Sequence, residues 1–566
     1  MGLSKGWKSA AALMVALGQT VVLAAASAAV QAAPAAASPA AASPAAPAVA
    51  SAEAQGAASP AAHPPGADLV RSYCSGCHQE HAGRLERISD MRKTPEGWEM
   101  TLFRMRQVHG LMLDDGVRDA IVRYLADTQG LAPAESAAGR FALERRPNAQ
   151  DIDLGPQIGV MCGRCHTLAR VSLQRRDAEE WLKLAHTHVG QWPSIEYSAS
   201  GRDRPWWQIA SGELPAKLAA LFPYSSAAWN EWKARPVRDL SGNWRVVGHV
   251  PGGRDFQGTA HIERAPDGDY AAQYRLTDVA GFAFTGDSKA IVYTGYEWRG
   301  SANVAERSLR EVYAVSDDGN RITGRWFDAA HAEDGGEWTA VRDTGPAEIL
   351  AVWPQALKVG TTTRVSIVGR GLGADAGTHG GAPVPPVSFG AGTRVIQVWR
   401  EADLIRAEVQ VAADAAPGLR EVAAGGAAAK IAVYAQIDQI SVAPGYAIAR
   451  LGGGRVDPVT AQFEAIAATR LPSGDMLSLG PVTAAWTTVP YDAEAKRTED
   501  EKYAGHFDAR GRYLPSAAGP NPAREYSGDN VGNLKVIARV QDGARAVEGQ
   551  GHLIVTVQRW ITPPIY

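Results

Sequence analysis

Cys162, Cys165 and His166 lie together in VMCGRCHTL (160–168), and Cys74, Cys77 and His78 repeat the same spacing in SYCSGCHQE (72–80). The chain has four cysteines, so the two copies use every thiol it possesses. Two thiols two residues apart can add to the two vinyl groups of a porphyrin as thioethers, and an imidazole on the next residue can reach the iron. C-x-x-C-H is accordingly the attachment pattern of c-type haem. A disulfide between Cys74 and Cys77 would close a strained, very short loop and leaves His78 and His166 without a role. A Cys/His zinc site is the other rival. Two closely matched copies in an exported chain point instead to two covalently bound haem c groups, held by Cys74, Cys77, Cys162 and Cys165 with His78 and His166 as proximal iron ligands.

Each iron then needs a sixth ligand or an open position. Downstream of the motifs the chain can be laid over itself: TPEGWEMTLFRMRQVHGL (94–111) matches DAEEWLKLAHTHVGQWPS (177–194), with Trp98 on Trp181 and Met105 on His188. The seven residues between the members of each pair are nearly two helical turns, about 10 Å, so each tryptophan shares a helix face with its partner. Met105 and His188 are the expected sixth ligands. His109 and Met112 are rivals just beyond Met105, although Gly110 suggests that the helix stops first. His186 is the rival in the second copy. No methionine occurs between Met161 and Met476, and Met161 abuts Cys162 on the wrong side, so His/His ligation follows there by elimination. Six-coordinate irons carry single electrons rather than bind substrate. Thioether ligation raises a potential, so electrons are expected to run from the second haem to the first.

These side chains need helices to hold them. Thr94 with Pro95, and Asp177 with Glu180, are start signals for the two matched segments. LDDGVRDAIVRYLADTQG (113–130) places Val117, Ala120, Ile121, Tyr124 and Leu125 at helical spacing, with Asp114 as cap and Gly130 as stop. SGELPAKLAALFPY (211–224) is the shorter counterpart in the second copy, and WPSIEYSASGRDRPWW (192–207) before it reads as a long loop. Its Trp192, Trp206 and Trp207 are placed to cover the second haem or to face another subunit.

The start of the chain sets the compartment. Lys5 and Lys8, an apolar stretch and small residues around Val30-Gln31-Ala32 form a secretory leader over 1–32. An Ala/Pro/Ser tract over 33–66 has too many prolines for a helix and too little apolar bulk for a core, and reads as a disordered tether. An exported, soluble protein is expected. Fifty-seven basic against sixty acidic residues give a net charge of −3, with no long run of one sign. That gives no electrostatic case for nucleic acid or a membrane surface and favours a protein partner.

The dihaem region is expected over 67–237, as modules 67–140 and 141–237. From Leu240 the helical period gives way to alternation broken by Gly, Asp, Asn and Pro. PDGD near 266–269 and the Asp-Gly of SDDGNRITGRW mark hairpins, and 238–346 is expected to form a small antiparallel barrel or sandwich. The alternation in 347–435, with a turn at Pro417-Gly418, resembles the immunoglobulin-like fold. NLKVIARVQDGARAVEGQGHLIVTVQRW closes 436–566 as a hairpin of a further sandwich. The expected fold class is multidomain: an all-α dihaem cytochrome c domain followed by three antiparallel all-β domains. The glycine-rich GRGLG and LGGGRV read as turns, and the scattered His249, His261, His331, His379, His506 and His552 have no metal-ligand spacing. No catalytic constellation emerges in this half.

This order of parts, together with the two C-x-x-C-H motifs, TPEGWEMTLFRMR (94–106) and YLADTQGLAP (124–133), resembles the dihaem alpha subunit of quinohemoprotein amine dehydrogenase along nearly the whole mature chain. The resemblance implies a periplasmic heterotrimer that oxidises primary amines to aldehyde and ammonia. It further implies a cysteine tryptophylquinone on a separate small subunit, a β-propeller subunit, and a soluble cupredoxin or cytochrome as acceptor. With all four cysteines given to haem, none remains here for a cysteine-derived quinone. The expected role is therefore electron relay, with the β domains as docking surface. A dihaem peroxidase, which would need one iron able to open, and a free-standing dihaem carrier with scaffold domains are the alternatives.

Overall fold

The computed structural model describes residues 66–141, 151–163, 166–191, 204–372, 386–401, 404–454 and 456–558. The leader, the tether up to residue 65, Cys165, Trp192 and His379 lie outside the described residues.

Helix α1 (Gly66–Cys74) delivers the first motif. Cys77 and His78 then turn back so that their amides donate to the Cys74 carbonyl. Strands β1 (Glu80–His81) and β2 (Arg84–Leu85) pair antiparallel around Ala82 and Gly83, both at positive φ, as a two-residue hairpin requires. Helix α2 (Pro95–His109) follows β3 (Arg92–Lys93). The Thr94 hydroxyl caps α2 by accepting from the Gly97 amide at 3.3 Å, and Gly110 ends it in the left-handed region at φ 70°. Helix α3 (Asp115–Thr128) has Asp114 as cap, accepting from the Val117 amide at 2.8 Å. It buries Val117, Ile121, Val122, Leu125 and Ala126 against α1 and α2, with Ala120 and Tyr124 at the margin.

After the short α4 (Pro133–Ser136), the pattern restarts with α5 (Pro156–Cys162), α6 (Ala169–Ser172), β4 (Gln174–Arg175) and α7 (Ala178–Gln191). Short helices at Trp206–Ser211, Leu214–Leu221 and Ala227–Lys233 complete this region. Two departures from expectation appear here. The region is not purely helical, because it contains the β1–β2 and β3–β4 ladders. Trp206 and Trp207 open a helix rather than end a loop. Six residues are too few to show a helical period, but Trp206 and Ala210, one turn apart, are both buried.

The β3–β4 ladder pairs Arg92 with Arg175, residues that are equivalent when Trp98 is laid on Trp181. Antiparallel pairing of equivalent positions relates the two halves by a local twofold. Glu135 of α4 lies where the axis passes. Arg92 grips it with both terminal nitrogens at 2.8 Å, and Arg175 Nε donates to it at 3.1 Å.

Eight strands then form a closed antiparallel barrel: β5 (Gly242–His249), β6 (Phe256–Arg264), β7 (Tyr270–Asp278), β8 (Ala283–Tyr293), β9 (Glu297–Val304), β10 (Arg307–Val315), β11 (Arg321–Asp328) and β12 (Gly335–Arg342), with β12 returning to β5. Closure removes the sheet edges. The inward positions are aromatic, among them Trp244, Tyr270, Tyr274, Trp298, Tyr313 and Trp338, so the barrel is filled. One carboxylate lies inside: Glu311 accepts from Tyr274 OH at 2.7 Å, Ser288 Oγ at 2.6 Å and Trp298 Nε1 at 2.9 Å, and burial raises its pKa.

The next 90 or so residues form a four-stranded and a three-stranded sheet that enclose one core, including Val365, Ile367, Val409, Val422, Ile431 and Val433. The C-terminal part has three sheets around Phe463, Tyr513 and the long hairpin Gly532–Asp542 with Arg545–Thr556. The chain is thus multidomain, with a helical N-terminal region followed by β-rich domains.

Candidate functional site

The first motif is built from α1 and the turn after it. Cys74 is buried in the module core with Trp98, Leu102 and Ile121, while Cys77 is exposed, and both thiols are free. Burial, then the neighbouring Cys77, pushes the Cys74 thiol up to about 11. His78 is half-buried, with Nδ1 3.0 Å from the Glu86 carbonyl. A carbonyl can only accept, so Nδ1 carries the hydrogen and the Nε2 lone pair is left for a metal. Met105 is half-buried on α2, one turn beyond Leu102. Its rivals lie outward: His109 is exposed at the helix end, and Met112 is 83% exposed.

The second motif repeats this at the end of α5. Cys162 is half-buried and free, and burial pushes its thiol up to about 11. The His166 Nδ1 lies 2.8 Å from the Thr167 carbonyl. On α7, His188 Nδ1 lies 2.8 Å from the Leu184 carbonyl, one turn back. The two imidazoles therefore turn the same edge, Nε2, away from the backbone. Their ring centres are 6.4 Å apart with planes inclined by 40°. Two imidazoles facing one another across a single metal ion, with bonds of about 2 Å, have centres about 6 Å apart. Residues 22 apart are thus brought to the spacing that one iron would need. Burial lowers the proton affinity of both rings, and for His188 the cations Arg104 and Arg176 add to the effect, which favours the neutral ligand form. His186 points elsewhere, with its ring edge-on to Trp207 at 4.8 Å.

Trp98 and Trp181 are both buried, and each has a cation over its ring, Lys93 at 5.3 Å and Arg176 at 5.9 Å. Lys93 and Arg176 occupy equivalent positions one residue before the helix caps. Extending the internal match by two residues upstream would have found this pair and the Arg92–Arg175 pair. The Trp98 indole donates to the Gln129 carbonyl at 3.3 Å. The Trp181 indole N–H has no acceptor among the described residues.

The helical region rests on the barrel. Arg123 pairs with Asp269 at 2.7 Å, Ser136 Oγ meets Tyr296 OH at 2.7 Å, and the Thr294 amide donates to Asp127 at 2.6 Å. Arg299 of β9 bonds Glu96 in the first turn of α2, so the helix that carries Met105 is anchored from below.

Family descriptions match along nearly all of the described chain. Residues 65–229 match the haem-binding domain of the quinohemoprotein amine dehydrogenase alpha subunit, 237–343 its domain II, 346–435 its domain III and 440–565 its domain IV. No curated protein matches the chain. Among solved structures, a redesigned β-barrel, mFAP0, bound to DFHBI is 18% identical over 18% of this chain and 98% of its own, with a TM-score of 0.17. The titin domains z1z2 in complex with telethonin are 14% identical over 38% of this chain and 96% of their own, with a TM-score of 0.13. Gamma-CGTase from Alkalophilic bacillus clarkii is 10% identical over 53% of this chain and 42% of its own, with a TM-score of 0.13. These structural likenesses are local and bear on nothing further.

Proposed function

Because this chain belongs to the alpha-subunit family of quinohemoprotein amine dehydrogenase, an oxidoreductase subunit with a haem-binding domain, we propose that it is the electron relay of such an enzyme. In this reading Cys74 and Cys77, and Cys162 and Cys165, anchor one haem c each. His78 with Met105, and His166 with His188, would hold the two irons. Haem held this way supplies one-electron transfer with no open position for substrate.

The observation that carries the reading is the His166–His188 pair, whose separation and shared orientation suit a single iron and whose Nδ1 atoms are both committed to backbone carbonyls. The chain's own residues then have three tasks. The backbone carbonyls fix the tautomer and hold each ring in the direction of the metal. Trp98 and α3 exclude water from the first module's core, and Trp181, Trp206 and Trp207 pack around the second. The barrel fixes both modules relative to the rest of the chain. Oxidation of a primary amine to aldehyde and ammonia releases two electrons and two protons. The quinone that takes them would sit on a small partner subunit, beside a β-propeller subunit, and a soluble cupredoxin or cytochrome would take the electrons onward. Electrons would pass from the His/His site to the His/Met site. The leader at 1–32 would send the chain to the periplasm.

Mass spectrometry and pyridine-haemochrome analysis of the native complex test this together. Two covalent porphyrins on this chain and two co-purifying subunits are expected. A chain carrying no thioether-bound porphyrin, or one whose thiols are bridged to each other, would refute it.

A further inference from the structure

Between the two modules lies a group of cations that outnumber the carboxylates acting on them. Lys93 is buried and shares the Thr101 hydroxyl with Arg104: Lys93 Nζ donates to it at 2.6 Å and an Arg104 terminal nitrogen at 3.3 Å. Arg176 is buried, donating to Gln174 at 2.9 Å and lying 3.4 Å from Glu180, which Arg87 also approaches at 3.5 Å. Arg176, Arg104 and Arg87 thus all act on Lys93, Arg104 and Arg87 also act on Arg176, and Glu180 and Asp177 are the carboxylates that oppose them. Lys183 takes a further share of Glu180 at 3.0 Å. Burial, then Arg176, Arg104 and Arg87, presses the Lys93 ammonium well below the usual lysine range, with only Glu180 opposing. An unbalanced set of this kind is costly unless an anion enters it.

A second, independent observation points the same way. The Trp181 indole N–H is buried without an acceptor among the described residues. Arg176 lies over the Trp181 ring, and Arg104 and Arg176 are the cations that act on His188. Spare charge and a spare donor therefore accompany α7, the helix that carries His188, and the first module contributes Arg104 to that charge.

We propose that Arg104, Arg176, Lys93 and the Trp181 indole N–H form a carboxylate-binding seam between the modules that receives the propionate groups of the haem held by His166 and His188. Guanidinium matches a carboxylate with two parallel hydrogen bonds. Binding there would neutralise the seam, lock the two modules together, and turn the acidic edge of the second haem toward the first module. A cation close to a haem favours its reduced form, so the seam raises the potential of the second site.

The inference rests on haem occupying both modules, and the test separates the two. Haem content of the purified holoprotein is measured first, and fewer than two haems in the wild type refutes the occupancy, not the seam. In Arg104→Gln and Arg176→Gln holoproteins with both haems loaded, spectroelectrochemical titration should show the second midpoint potential shifted downward and newly pH-dependent, with the first little changed. Arg104→Lys should restore most of the shift. Unchanged potentials in both Gln variants overturn the proposal. Should those variants fail to mature, the wild-type resonance Raman spectrum decides. Propionate bending bands displaced from those of a haem peptide in water support the seam, and bands at the aqueous position overturn it.

Discussion

His186 and His188 stand two residues apart on α7, yet their rings have separate fates because two residues rotate a helix by about 200°. His188 faces His166 at 6.4 Å, and His186 packs on Trp207. Replacing His188 with Ala should therefore convert roughly half of the low-spin haem signal to high-spin or to a new ligand set, while His186→Ala should leave it intact. Electronic absorption and electron paramagnetic resonance of the two variants make the comparison, and a low-spin spectrum that survives His188→Ala would remove the assignment. Much at this scale was legible. Thr94, Pro95, Gly110 and Asp114 each do locally what their side chains dictate, and the caps at Thr94 and Asp114 are formed as the sequence implies. What local chemistry could not show is which charged residues are buried. Lys93, Arg176 and Glu135 look like surface charges in the sequence. The burial of Glu135 depends on partners 40 or more residues away, Arg92 and Arg175.

At the scale of elements, the pairing of the modules depends on a two-residue ladder and the carboxylate beside it. Two residues per strand contribute little by themselves, so Glu135 does most of the joining. It receives Arg92, Arg175, Ser226 Oγ at 2.8 Å and the Ala132 amide at 2.9 Å. Burial raises the carboxyl's proton affinity, but the hydrogen bonds and charges of Arg92 and Arg175, with the Ala132 amide, outweigh it and hold the pKa at about 2, below the ordinary 4.5. The folded pKa is depressed, so this stabilisation is fully present above about pH 4.5 and is lost as the pH falls toward 2. Glu135→Gln leaves two buried guanidinium groups without their anion and should cost this region about 3–5 kcal/mol. Thermal melts followed by helical circular dichroism, at pH 7 and pH 3, provide the measurement. The wild type should lose at pH 3 part of what the variant lacks at pH 7, and equal melting of both proteins at pH 7 would show that the ladder holds without the carboxylate. The internal repeat disclosed the matched helices but not this joint, because Glu135 lies outside both matched segments.

For the whole molecule, the hairpins at PDGD, SDDGN and VQDGA announced strands by turn chemistry alone, and Gly268, Gly319 and Gly543 do adopt the positive φ that those turns need. A barrel was among the folds expected over 238–346, but the strand pair that closes it was not legible, because β12 and β5 are almost a hundred residues apart and their pairing leaves no local mark. Contacts between domains were equally silent. His249, at the end of β5, had no metal-ligand spacing and no evident partner in the sequence. In the fold its Nδ1 lies 2.7 Å from Asp255 and its Nε2 3.0 Å from Glu464 of the C-terminal domain, whose carboxylate also accepts from the Gly252 amide at 3.1 Å. Burial lowers the imidazole's proton affinity, but the hydrogen bonds and charges of Asp255 and Glu464 prevail and raise its pKa from 6.5 to about 10. A raised folded pKa means that this tie between barrel and C-terminal domain is fully present below about pH 6.5 and weakens as the pH approaches 10. Another tie across the same boundary joins Arg512 to Asp334 at 2.8 Å. Amide exchange at Gly252 and around Glu464 should therefore quicken in the wild type between pH 7 and 10 beyond the ordinary chemical acceleration, while the Arg512 loop stays protected. In His249→Gln, which can hydrogen-bond but not carry charge, that extra acceleration should vanish and exchange at pH 7 should already be fast. Identical pH profiles in the two proteins would mean that the imidazolium does not hold the domains together.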